Sequence, residues 1–237
     1  MPLRELSGTF GVITMRVPRL RRLNLPSALC LLPLLTGCQA IGVISQALPP
    51  PTVIPQYKGF AGQSVGVMVW ADRGMRIEWE FIQLNLANVI HTNLTQAANP
   101  KAKIKEFQGT TFPVLPRSII RFQQDHPETD GQLITDIAPR LGVTRLIYVE
   151  VEDFSTRPDG GVELFRGDAT ATLRVVEIAP DGTAKVVYEE NEVRATWPPK
   201  APKEGRPTIG DTRTYQGLVE TLGAEIAKRF VRHGEDQ

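Results

Sequence analysis

The sequence predicts an α/β (α+β) fold: a β-α-β-α-β section, then a long antiparallel hairpin and a C-terminal helix, forming one mixed sheet flanked by helices. Three observations carry this expectation. Short runs rich in β-branched residues, Ser64 to Trp70 and Val143 to Val151, are separated by stretches whose apolar residues recur every three or four positions. Two long segments, Leu164 to Ile178 and Ala184 to Trp197, flank Ala179-Pro180-Asp181-Gly182-Thr183, where Pro and Asp favour a type I turn and Gly182 suits the left-handed position of a bulged hairpin. Near the end, Leu218, Leu222, Ile226 and Phe230 fall on one helical stripe.

Taken in order, the chain opens with Arg16, Arg19, Arg21 and Arg22 ahead of an apolar run from Leu25 to Leu35. That run is too short to span a bilayer as a mature helix and has the layout of a secretory signal, which Met15 could itself begin. Leu35-Thr36-Gly37-Cys38 resembles the lipobox of bacterial lipoproteins. The resemblance implies that residues 1–37 are removed, that Cys38 carries a diacylglyceryl group, and that the chain is anchored to a membrane. Gln39, not Asp, follows the cysteine. By the sorting rule of enteric bacteria this implies the outer membrane, facing the periplasm. Cys30 falls in the removed leader, so no thiol is left for a disulfide, a zinc site or a nucleophile. Residues 38–60, with Pro49-Pro50-Pro51 and Pro55, form a Pro-rich tether whose ceiling is roughly 60 Å. Residues 61–237 form a single globular domain.

Within that domain Ser64 to Trp70 is a strand buried on both faces, and Ile77, Phe81, Leu84, Leu86, Val89, Ile90 and Leu94 mark a helix of about 20 residues. Thr111 to Pro116 is a second strand, and Arg117 to Gln124 a short helix. Asp130 can cap a helix carrying Leu133, Ile134, Ile137 and Leu141, which Pro139 either kinks or shortens and Gly142 stops. Leu146 to Val151 is the most continuously apolar stretch, so it should lie centrally beside Val67 and Val69, with Phe81, Leu84 and Ile226 covering the sheet. A three-residue hairpin loop sets Phe165 opposite Trp197 and Ala169 opposite Val193 on the inner face, and Asp168 opposite Arg194 on the outer. A Pro-rich loop, 198–207, precedes the final helix, Tyr215 to Val231.

The lipobox, the V-G-V-M-V-W strand, the V-L-P-R-S step, the L-G-V-T-R-L-I-Y-V-E-V strand, the long hairpin and the terminal helix together resemble the CsgG/LpoB-like group of bacterial lipoproteins. That resemblance implies an anticodon-binding-domain-like α/β fold and a non-catalytic binding or assembly role in cell-envelope biogenesis or secretion. The alternative is an oligomeric structural or channel-forming subunit of an outer-membrane secretion complex. An enzyme of unknown type is a distant third.

Composition agrees with a protein or membrane partner better than a nucleic acid. Of 27 Lys+Arg and 26 Asp+Glu, five bases and one acid precede Cys38, leaving 22 bases against 25 acids and no basic surplus. Neither G-x-G-x-x-G nor G-K-[ST] occurs, so no nucleotide or other cofactor is implied. His91, His126 and His233 are scattered, and Asp125-His126-Pro127-Glu128 with Asp130 reads as solubility and capping groups rather than a metal site. Glu150, Glu152 and Asp153 close a strand without a nearby basic partner for acid/base work, and Ser118 lies outside any G-x-S-x-G elbow. No catalytic or metal-binding residues are therefore expected. The candidate partner surface is the outer hairpin face, Arg166, Asp168, Thr170, Thr172, Arg174, Glu190, Glu192 and Arg194, with Trp197 at the root of the Pro-rich loop. The partner is an envelope protein or a second copy of the chain.

Overall fold

A computed structural model describes residues 52–158, 163–200, 202–206 and 210–234. Cys38, Gln39 and the first part of the proposed tether lie outside these residues. The described domain is a mixed sheet with helices on both faces, as the sequence predicts. Its four strands are β2 (Val65–Ala71), β3 (Arg145–Ser155), β4 (Gly167–Ile178) and β5 (Ala184–Trp197), in that spatial order. The strands β2 and β3 are parallel, while β3, β4 and β5 run antiparallel. So β3 is internal, with Val67 opposite Ile147 and Val69 opposite Val149.

The inner face packs against α2 (Ile82–Ala97) and α5 (Asp211–Lys228). Two glycines of α5 allow the close approach. A Cβ on Gly223 would come within 2.4 Å of Val89 on α2, and one on Gly217 within 2.2 Å of the Trp197 ring. On the outer face α3 (Pro116–Asp125) and α4 (Ile134–Ile137) cover one end only, where Met68, Leu146 and Val176 meet Ile119 and Ile137 in a second, smaller core.

Four expected elements differ. The single helix from Ile77 is two, α1 (Arg73–Glu78) and α2, separated by Trp79 to Phe81. Asp72 caps α1 by accepting the Met75 N–H at 2.9 Å. Because α2 starts afresh, its buried stripe is Ile82, Leu86, Ile90 and Leu94. Ile77 and Phe81 are exposed and Leu84 only half-buried, so Phe81 does not cover the sheet. The strand at Thr111 to Pro116 reduces to one bridge, Thr111 with Ser64, since Pro113 and Pro116 supply no ladder donors. The helix through Leu141 contracts to the single turn of α4 between two 3-10 turns, Pro127–Gly131 and Ala138–Leu141. Pro139 disrupts continuation there, and Asp130 caps nothing, its carboxylate being taken by Trp70 and Arg76. Finally, the folded chain begins before residue 61. Thr52–Val53 (β1) pairs with His233–Gly234 (β6), and Phe60 is fully buried between Phe107 and Phe230 at ring separations of 5.4 and 5.1 Å.

The hairpin register holds near the turn, where Ile178 faces Ala184 and Glu177 faces Lys185, then slips twice. One extra β5 residue, Val187, lies between the pairs Val176 with Val186 and Val175 with Tyr188. A second lies where Thr172 meets Asn191 and Glu192, with Glu192 in the left-handed conformation at φ 59°. Ala169 therefore faces Ala195, Asp168 faces Thr196 and Thr170 faces Arg194, while Phe165 bridges Arg206 instead of Trp197.

Candidate partner surface

The outer face beyond the small core is built from alternate residues of β3, β4 and β5, whose intervening residues fill the main core. Arg174 is at its centre. Its Nη1 lies 3.0 Å from Glu150 Oε2 and its Nε 2.7 Å from Glu189 Oε1, so one guanidinium ties three strands together. Burial works against the Arg174 charge, but the hydrogen bonds to Glu189 and Glu150 outweigh it and raise the pKa. Along β4, the Thr172 hydroxyl donates to Glu152 and lies 3.4 Å from Asn191. Arg166 Nη2 lies 3.1 Å from Asp168, which also accepts the Thr196 hydroxyl at 2.6 Å. Arg194 pairs with Glu192 at 2.9 Å, opposite Thr170.

Of the nine residues expected on this surface, the structure brings together Arg166, Asp168, Thr170, Arg174, Glu192 and Arg194. Three stand differently. Thr172 is on the outer face but only 3% exposed, because Glu152 and the bulge at Asn191 close over it. Glu190 is displaced to the inner side by the first bulge, where it receives Arg229 Nε at 3.1 Å and the Tyr188 hydroxyl at 2.5 Å. Trp197 lies against Gly217 of α5 and belongs to the core.

Beside the small core the face deepens into a groove of about 550 Å³, bordered by Trp70, Asp130, Leu133, Tyr148, Arg174 and Val186. Asp130 shapes one wall by accepting Trp70 Nε1–H at 3.2 Å and Arg76 Nη2–H at 2.7 Å. Burial, reinforced by the Glu150 charge, pushes the Tyr148 phenol far up, so it remains protonated. Leu133 is 71% exposed at the rim, with Val186 beside it in the lining. Of these groove residues the sequence marks only Arg174 as part of a partner surface, although alternation in β2 places Met68 and Trp70 opposite Val67 and Val69. The contribution of Leu133 was hidden by its apparent place on a core stripe.

The arrangement suits recognition of a surface carrying both signs of charge and an apolar group. Among the described residues it does not bring a nucleophile and a base together. His126 and Glu128 are 3.0 Å apart, but Asp130 turns to Trp70 and Arg76, and Glu128 also faces Arg140 at 3.7 Å. His91, on α2, meets the Phe112 ring edge-on, and burial lowers its pKa.

No family model matches the chain. A glycine cleavage system H protein from Bartonella quintana (strain Toulouse) is 33% identical over 117 residues, covering 44% of this chain and 92% of that protein. Over that stretch the chain belongs to the glycine cleavage system H protein family. The H-protein relationship accounts for less than half of the chain. Among solved structures, the hypothetical protein CT253 from Chlamydia trachomatis gives a TM-score of 0.38 at 14% identity, covering 70% of this chain and 95% of that one. A PelC dodecamer from Paraburkholderia phytofirmans gives 0.38 at 9% identity, covering 78% and 96%.

Proposed function

We propose that this chain is a lipid-anchored envelope protein that acts as a non-catalytic binding or assembly module. The observation that carries the reading is the order of basic residues, short apolar run and Leu35-Thr36-Gly37-Cys38 at the start of the sequence. The polar sheet face supports a binding role, because Arg174, Arg166 and Arg194 are each held by an acid of the same face. Such a surface is preorganised for a partner and presents few groups that must be ordered on contact. Cys38→Ser should abolish uptake of labelled palmitate and release the protein from membranes to the soluble periplasmic fraction. Density-gradient separation should place the wild type with the outer membrane, as Gln39 implies. Recovery of unlabelled wild type in the cytosol would overturn the reading and leave the H-protein relationship as the lead.

The oligomeric subunit is the second reading, favoured by β5, which ends the four-stranded sheet. Light scattering separates the two: a discrete ring supports the oligomer, and a monomer the module.

A further inference from the structure

At the end of the domain where β1 meets β6, the contacts converge on one turn of chain. Gln56 N–H donates to the Arg229 carbonyl at 2.8 Å, and Arg232 Nε reaches Glu106 at 3.3 Å. Val231, His233 and Lys228 share a groove with Ala102 and Ile104. The segment from Asn99 to Gln108 is thereby held beside the entering chain. Its shape is set locally, since Asn99 accepts the Lys101 N–H at 2.9 Å and Lys103 takes the left-handed conformation at φ 53°. This turn presents Lys101, Lys103 and Lys105 to solvent, with Lys58 also exposed; the Glu106 carboxyl beside them is held low by a backbone hydrogen bond first, then by Arg232 and least by Lys58. Glu106, the acid that follows Lys105, is already turned to Arg232. Val53 on β1 and Ile54 just after it stand exposed. A chain with an acidic surplus after Cys38 thus gathers lysines and exposed aliphatics around one end.

We propose that this end docks onto anionic lipid headgroups. Lysines over an anionic bilayer strengthen partition by about fivefold each, and exposed aliphatic side chains can enter the interface beside them. The inference rests on the lipid-anchor reading for its orientation. From Cys38 to Thr52 a fully extended chain reaches roughly 40 Å, and it joins the domain at this end. The anchor supplies proximity, and the lysines turn the domain so that the Asn99 to Gln108 segment meets the bilayer. The attraction falls off within about 8 Å at physiological salt, so it acts only when that end is against the surface.

The test uses the full chain carrying Cys38→Ser, so that no acyl group contributes. Sedimentation with phosphatidylcholine vesicles, with and without phosphatidylglycerol, compares this parent with Lys101→Gln/Lys103→Asn/Lys105→Gln on the same background. Asn is chosen at 103 because it tolerates left-handed backbone. The triple variant should bind phosphatidylglycerol vesicles on the order of a hundredfold more weakly, three lysines at about fivefold each. Binding to neutral vesicles should not change. Neutralising the exposed Arg121 and Lys200, which belong to neither surface, should have little effect, and matching melting temperatures show that all variants are folded. A triple variant that binds like its parent, or a parent without preference for phosphatidylglycerol, overturns the proposal. So does loss of a crosslinked envelope protein with vesicle binding intact, which would assign the surface to a protein partner. Palmitate labelling of the wild type tests the anchor independently: label without a lysine effect sinks only the docking surface, whereas a lysine effect without label sinks only the anchor.

Discussion

Thr172 shows how far a single side chain can depart from what its neighbours suggest. In sequence it is one of a row of alternating polar residues and belongs with an exposed face, where truncation to alanine would cost about half a kcal/mol or less. In the structure it is 3% exposed, with its hydroxyl engaged by Glu152. Thr172→Ala leaves a carboxylate short of a buried donor, and losses of this kind run to about 1–3 kcal/mol. Denaturant unfolding should show that larger loss, and a change within about 0.5 kcal/mol would mean that the face is open after all. The alternation correctly assigned Thr172 to the outer side. It carried no information about the bulge that closes over it, because a bulge is a property of two strands together.

The element boundaries turn on an equally local matter. Ile77, Phe81, Leu84 and Leu94 keep helical spacing across the break at Trp79 to Phe81, so periodicity alone cannot reveal that the helix restarts with a different face inward. A shift of one residue turns a helical side chain by about 100°. That separates Ile82, fully buried, from Phe81, 58% exposed. Ile82→Ala should therefore cost about 2–5 kcal/mol, while Phe81→Ala should stay within about 0.5 kcal/mol despite removing the larger side chain. Melting curves of the pair decide it, and a larger loss at Phe81 would restore the single-helix phase. The strands were more legible. Val67, Val69, Ile147 and Val149 are paired and buried as the continuous apolar runs required, since a strand covered on both faces needs no phase to be recognised.

At the scale of the whole molecule, the mixed sheet and its helical layers followed from the order of the elements. The closure of the domain did not, because it depends on Phe60 and the β1–β6 pair, joining residues about 180 positions apart in sequence, at opposite ends of the described domain. The candidate surface was half legible for the same reason: β4 and β5 gave the charged face, whereas the groove needs Trp70, Asp130 and Leu133 from three other segments. One consequence concerns molecules in bulk. Glu192 is an extra residue on the outermost strand, in a conformation few L-amino acids adopt, and deleting it leaves Asn191 opposite Thr172 with every flanking pair unchanged. The deletion would thus straighten the rim from Tyr188 to Trp197, leaving the bulge at Val187, without altering the interior. A straight, unpaired rim is a template for the next chain. The shortened protein should fold with a circular dichroism spectrum like the parent's, yet assemble over time into thioflavin-binding fibres at concentrations where the parent stays clear. Equal clarity of both solutions would show that the kink is dispensable; otherwise that one awkward glutamate is what keeps the sheet from growing.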